Sequence, residues 1–129
     1  QFRSSAASDV YKRQKYGSSL RKWYSHLFND PEKSAIIAKQ LGLGVGGAGY
    51  DFEGSWRDKG LFAYHTGRYA GYAYFGSGGS EEEELEQMGG DDKYRLWEIN
   101  DPNMPKEVRE KWLQMEPILA RSYYLYPPK

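Results

Sequence analysis

Residues Gly60–Gly79 read GLFAYHTGRYAGYAYFGSGG, and the reading of this stretch decides the fold. Aromatic and very small residues alternate along it: Phe62, Tyr64, Tyr69, Tyr72, Tyr74 and Phe75 are set among Ala63, Ala70, Gly71 and Ala73. A period of two belongs to strands, whose successive side chains point to opposite faces. Thr66-Gly67-Arg68 supplies turn chemistry in the middle, so a β-hairpin is expected with strands at 60–65 and 69–75. In the first strand Leu61, Ala63 and His65 share one face, with Phe62 and Tyr64 on the other. On the return strand Tyr69, Gly71, Ala73 and Phe75 oppose Ala70, Tyr72 and Tyr74. Apolar groups on both faces mean a hairpin covered on both sides, or covered on one and given to a partner on the other.

Outward from the hairpin, Lys93–Ile99 (KYRLWEI) is a third strand candidate. Between them Ser80-Glu81-Glu82-Glu83 forms a capping box and predicts a short helix over 81–88, with Leu85 and Met88 inward. Its carboxylates belong to a solvated helix start rather than a calcium loop, which alternates oxygen ligands around a glycine turn. Asp101-Pro102-Asn103-Met104-Pro105 breaks the chain before a last helix over 105–115, lined by Val108, Trp112 and Met115, which Pro117 kinks or interrupts. Upstream, Asp30 caps a helix over 31–41 with Pro31 at its first position and Gly42 as its stop; Ile36, Ile37 and Leu41 form its buried side. Before it, Leu20, Trp23, Tyr24, Leu27 and Phe28 repeat at helical spacing over 20–28. The expected fold is α+β: a small antiparallel sheet on the central aromatic hairpin (about 60–75, plus 93–99), packed by three or four short helices.

Gly42–Gly49 (GLGVGGAG) contains the spacing of a dinucleotide fingerprint twice over. That fingerprint needs a strand before it and a helix after it, whereas here a helix precedes and Tyr50–Gly54 has no helical period. The stretch reads as a Gly-rich connection, or as a strand against which another backbone packs closely.

The chain has 129 residues, room for a single domain, and its 18 basic and 18 acidic side chains leave no net field to attract nucleic acid. The absence of cysteine excludes disulfides, thiolate chemistry and thiolate metal sites. No apolar run approaches a membrane span. Residues 1–14 (QFRSSAASDVYKRQ) stand apart as a leader outside the core, with the Arg/Ser/Ala-rich, acid-poor character of a transit-peptide remnant; residues 15–129 are the single domain. SSAASDVYKRQ also resembles a spurious leader that recurs at the start of chains translated from marine-protist transcript assemblies; on that resemblance residues 1–14 are a sequence-assembly artefact, the native chain is expected to begin near Lys15, and the source is expected to be a microbial eukaryote such as an alga.

Two histidines, His26 and His65, are too few for a histidine-rich metal site, and no G-x-S-x-G signature accompanies them. Asp51, Glu53 and His65 are the residues a small hydrolase would use. Tyrosine, with 12 copies, combines a large apolar body with a polar tip and suits interfaces. Aromatic rings on a strand face can also stack on sugars or other small ligands, whereas single-stranded nucleic acid would call for interleaved basic residues that are missing. The expectation is a non-enzymatic accessory or linker subunit of a larger organellar membrane complex, without a cofactor or a transmembrane segment of its own. A photosynthetic, thylakoid-associated complex comes first, with pigment-bearing subunits among the expected neighbours, and a mitochondrial respiratory complex second. Its partner-binding residues are Trp56, Tyr64, Tyr72 and Tyr74 of the hairpin region, and Tyr123, Tyr124 and Tyr126 of the aromatic C-terminal arm SYYLYPPK.

Overall fold

Asp30 and Pro31 open the first helix as their chemistry requires. The Asp30 carboxylate accepts a hydrogen bond from the Glu32 amide at 2.9 Å, and Pro31 occupies a position that needs no N–H donor. The computed structural model describes residues 30–86, 88 and 90–125, with residues 85 and 118–125 described by their backbone alone. Helix α1 (Pro31–Gln40) buries Ser34, Ile37 and Ala38, and Leu41 follows in register, a stripe at i, i+3, i+4 and i+7. Ile36, expected on that side, is 59% exposed because it lies a full helical step off the stripe. The helix expected over 20–28 lies outside the described residues.

Five strands follow: β1 (Gly44–Val45), β2 (Glu53–Gly54), β3 (Gly60–Tyr64), β4 (Tyr72–Gly76) and β5 (Lys93–Arg95). β3 pairs antiparallel with both β4 and β5, and β4 takes β1 and β2 in parallel along its other edge. The sheet is therefore mixed rather than antiparallel. The added strands are the Gly-rich connection and its continuation, held by Gly46 donating to Ala73 O at 2.9 Å and Phe75 donating to Phe52 O at 2.7 Å. They close an edge that would otherwise present unpaired backbone. Glycine is required there: a Cβ on Gly44 or Gly47 would fall 2.5 Å from the Tyr72 ring, which lies over both.

The return strand begins at Tyr72, three residues later than expected. Gly71 adopts φ +85°, and turns close from Ala70 to Gly67 and from Tyr72 to Tyr69. This looser connection moves Tyr69 from the face of Ala73 and Phe75 to that of Tyr72 and Tyr74. The third strand stops at Arg95 because the Glu98 amide turns back onto Arg95 O at 3.1 Å. The turn sends Leu96, Trp97 and Ile99 all into one core, which strict strand alternation would have split between faces.

Helix α2 (Glu81–Leu85) starts with the expected capping box, Ser80 and Glu83 each accepting from the other's amide. It ends sooner than residue 88: Glu86 turns to extended backbone at φ −63° and ψ 142° while its amide donates to Glu83 O, and the last turn carries no basic side chain to favour its carbonyl end. Helix α3 (Lys106–Leu125) is longer than expected and continues past Pro117. Three helices are thus described. The main core lies on one face of the sheet, where Leu61, Ala63, Ala73, Phe75 and Tyr94 meet Ile37 and Leu41 from α1 and Val108 and Trp112 from α3. The other face carries a second, aromatic cluster of Phe62, Tyr74 and Met88 with Trp56, Tyr64, Tyr69 and Tyr72.

Candidate functional site

Strand alternation sets the aromatic face. Phe62 and Tyr64 of β3 stand beside Tyr74 of β4, and Lys93 and Arg95 of β5 continue the row in register with Tyr64 and Phe62. The segment between β2 and β3 brings Trp56, Arg57 and Asp58 over one end, and Tyr50 and Tyr69 reach in from the flanking loops. These side chains line an open cleft of about 350 Å³, at the lower end of the ~300–1,000 Å³ typical of ligand sites.

The walls are held by ring contacts. Tyr50 meets Trp56 edge-on at 5.8 Å and Tyr69 at 5.7 Å, and Tyr74 meets Trp56 at 6.5 Å and Tyr69 at 6.1 Å, closing a circuit of four rings. Tyr64 packs against Tyr69 at 5.0 Å and against Tyr74 at 5.9 Å. Edge-to-face geometry is the arrangement that the charge distribution of aromatic rings favours. Two polar tethers fix the circuit from behind: the Tyr74 hydroxyl donates to Gly47 O at 2.7 Å, and Trp56 Nε1 donates to Phe52 O at 3.3 Å.

Charge enters at one end. Lys93 Nζ donates to the Asp58 carboxylate at 2.6 Å in a largely buried ion pair, and the same ammonium lies 5.9 Å from the Tyr64 ring centre. Burial raises the Tyr64 hydroxyl above its ordinary range; the Lys93 charge opposes this, while Asp92, Asp58 and Tyr69 add to it. Burial also raises Tyr74, with Tyr64, Tyr69 and Tyr72 adding and Arg68 opposing. Both phenols therefore remain protonated donors at neutral pH.

Known proteins offer no guide to this cleft. No family model, curated protein or solved structure matches the chain.

Of the partner-binding residues expected from the sequence, Trp56, Tyr64 and Tyr74 line the cleft together. Tyr72 belongs to the same cluster but lies over Gly44 and Gly47, outside the lining. Tyr123 and Tyr124 lie on the described backbone of α3, and Tyr126 lies outside the described residues. Asp51 and Glu53 are exposed, and neither they nor His65 line the cleft. His65 instead ties two loops, its amide donating to Asp92 O at 3.0 Å and its Nε2 meeting Asp91 O. Among the described residues, no group of three or more acidic or histidine side chains is placed to hold a metal ion, and no helix is long and apolar enough to cross a membrane.

Sequence reasoning missed Tyr50, Arg57, Asp58, Phe62, Tyr69 and Lys93 as cleft residues. Phe62 was legible from its alternation with Leu61 and Ala63. The Asp58–Lys93 pair spans 35 positions, and only the β3–β5 register reveals it.

Proposed function

We propose that this chain is a non-enzymatic accessory subunit that docks onto a larger complex by receiving an extended segment of a partner subunit in its aromatic cleft. The observation that carries this reading is the cleft's composition: four tyrosines, a tryptophan and a phenylalanine with Arg57 at the rim. Tyrosine, tryptophan and arginine are the residues that dominate binding energy at protein interfaces. Tyr50, 48% exposed at the mouth, is a large apolar group that a partner would cover. The resemblance in residues 4–14 bears on the source alone; for an algal source a photosynthetic complex is the first candidate assembly and a mitochondrial respiratory complex the second.

Native purification from the source organism, followed by mass spectrometry of co-migrating proteins, tests the reading. A defined set of partners is expected, and their yield should fall about tenfold for Trp56→Ala or Tyr64→Ala, the scale of one interface anchor. A chain that migrates alone would overturn it.

A second reading rests on the cleft's volume and the ion pair at its end. A sugar or other small ligand could lie on the rings and hydrogen-bond to Asp58 and Lys93 together. Saturable shifts of cleft side-chain resonances on titration with monosaccharides would favour this over docking.

A further inference from the structure

The charges of the cleft are unequal in sign. Its lining carries two cations, Arg57 and Lys93, against one carboxylate, Asp58. Lys93 and Asp58 neutralise each other as a pair, so the guanidinium of Arg57 is the charge left over. Arg57 is exposed at the rim, and among the described residues no hydrogen bond or ion pair engages it. Two further charges flank the rings: the Arg68 guanidinium lies 5.8 Å from the Tyr69 ring centre, and Asp92 is near enough to act on the Tyr64 hydroxyl. These five groups keep an excess of one positive charge, on a chain whose totals balance at 18 and 18.

The hydrogen-bonding groups lean the same way. The Tyr74 hydroxyl and the Trp56 N–H are spent on backbone carbonyls behind the wall. Arg57 offers a planar fork of N–H donors that matches a carboxylate. Lys93 gives one N–H to Asp58, and the second Asp58 oxygen is left as an acceptor for a backbone N–H. Beside them Tyr50, 48% exposed, and Trp56 form an edge-on pair against which further rings can pack. In an extended segment neighbouring side chains point to opposite sides. Rings at alternate positions can therefore enter the cleft while a carboxylate between them stays at the rim, where Arg57 is.

We propose that the segment received by the cleft is acidic as well as aromatic: a glutamate or aspartate between two aromatic residues, its carboxylate on Arg57 and its rings among Tyr50, Trp56 and Tyr69. This rests on the cleft being a docking site for an extended partner segment, and names that segment's chemistry.

The test is NMR titration of the full chain, read at the Trp56 indole N–H, with three blocked pentapeptides. Each has two phenylalanines around a central glutamate, glutamine or lysine, and alanine at both ends. The glutamate peptide is expected to bind about fivefold tighter than the glutamine one, with the lysine peptide weakest. That preference should shrink from about 0.01 M to about 1 M salt, as the screening length falls from about 30 Å to about 3 Å. Arg57→Glu alters an exposed side chain and should reverse the order, the lysine peptide then binding best. Equal binding of the glutamate and glutamine peptides, or an order indifferent to Arg57→Glu, overturns the acidic occupant. So does the failure of every peptide to bind at millimolar concentration. Phenylacetate bound as tightly as the glutamate peptide would give the cleft to a small aromatic acid and overturn the segment. Docking itself is judged apart from these outcomes: co-migrating partners lost with Trp56→Ala but kept with Arg57→Glu would preserve docking and remove its acidic form. A chain that migrates alone would remove docking itself.

Discussion

Arg95 is 2% exposed, and every hydrogen bond described for its guanidinium ends on a carbonyl: Glu86 O at 2.9 Å, Glu83 O at 2.8 Å and Lys59 O. Burial lowers its pKa, and Asp58, Glu84 and Glu86 act in the opposite direction. One planar fork thus caps the carboxyl end of α2 and ties it to the loop before β3. Arg95→Lys keeps the charge but reaches fewer of these acceptors, and Arg95→Met leaves all three unbonded. Losses of about 1–3 and about 3–5 kcal/mol are expected in urea unfolding; an Arg95→Lys chain as stable as the native one would show that charge matters rather than the fork. Two phenols make a sharper pair. Tyr74→Phe forfeits the bond to Gly47 O and should cost about 1 kcal/mol. The Tyr94 hydroxyl is buried without a hydrogen-bond partner among the described residues, so Tyr94→Phe should be neutral or stabilising. A loss for Tyr94→Phe larger than for Tyr74→Phe would contradict that assignment.

At the scale of elements, β4 is the strand on which the cleft depends, because it holds β3 on one edge and both parallel strands on the other. Gly76 ends it where the chain passes closest: a Cβ there would lie 1.9 Å from Asp58 O. Gly76→Ala must displace the backbone of Asp58 and with it the ion pair to Lys93. A loss above about 2 kcal/mol is expected, with altered chemical shifts at Lys93; an unperturbed variant would mean that the 55–59 segment is not held against β4. The elements that local chemistry specifies were legible in the sequence. Asp30-Pro31, the Ser80–Glu83 box and the alternation of Leu61, Phe62, Ala63 and Tyr64 each act over a few residues and appear where expected. The mixed sheet was not legible, because Gly44–Val45 and Glu53–Gly54 are two-residue strands whose pairing is set by β4 rather than by a pattern of their own. Tyr69 was misplaced for a related reason: Gly71 at φ +85° resets the period, and glycine tolerates strand and turn alike. Only part of the cleft could follow, since Tyr50, Tyr69 and Lys93 reach it through those non-local pairings.

For the molecule as a whole, aromatic burial on both faces of one sheet joins stability to pH. Tyr94, fully buried in the main core, is pushed well above its ordinary pKa by desolvation, and Tyr64 and Tyr74 are raised in the aromatic cluster. Unfolded tyrosines ionise near pH ~10. Below that value these residues are protonated in both states, and their contribution to stability is fully present. Above it the unfolded chain releases protons that the folded chain retains, so the folded state binds more protons and stability falls as pH rises. Urea midpoints should therefore be level with respect to these groups up to about pH 9 and decline between about pH 10 and 11, with tyrosinate absorbance appearing in step with unfolding. Lysines titrate in the same window, so the comparison that isolates the effect is between the native chain and Tyr94→Phe. The variant lacks the most strongly raised group and should lose stability less steeply over that interval. Parallel slopes for the two chains would show that Tyr94 ionises without unfolding, and hence that water reaches the main core beneath the sheet.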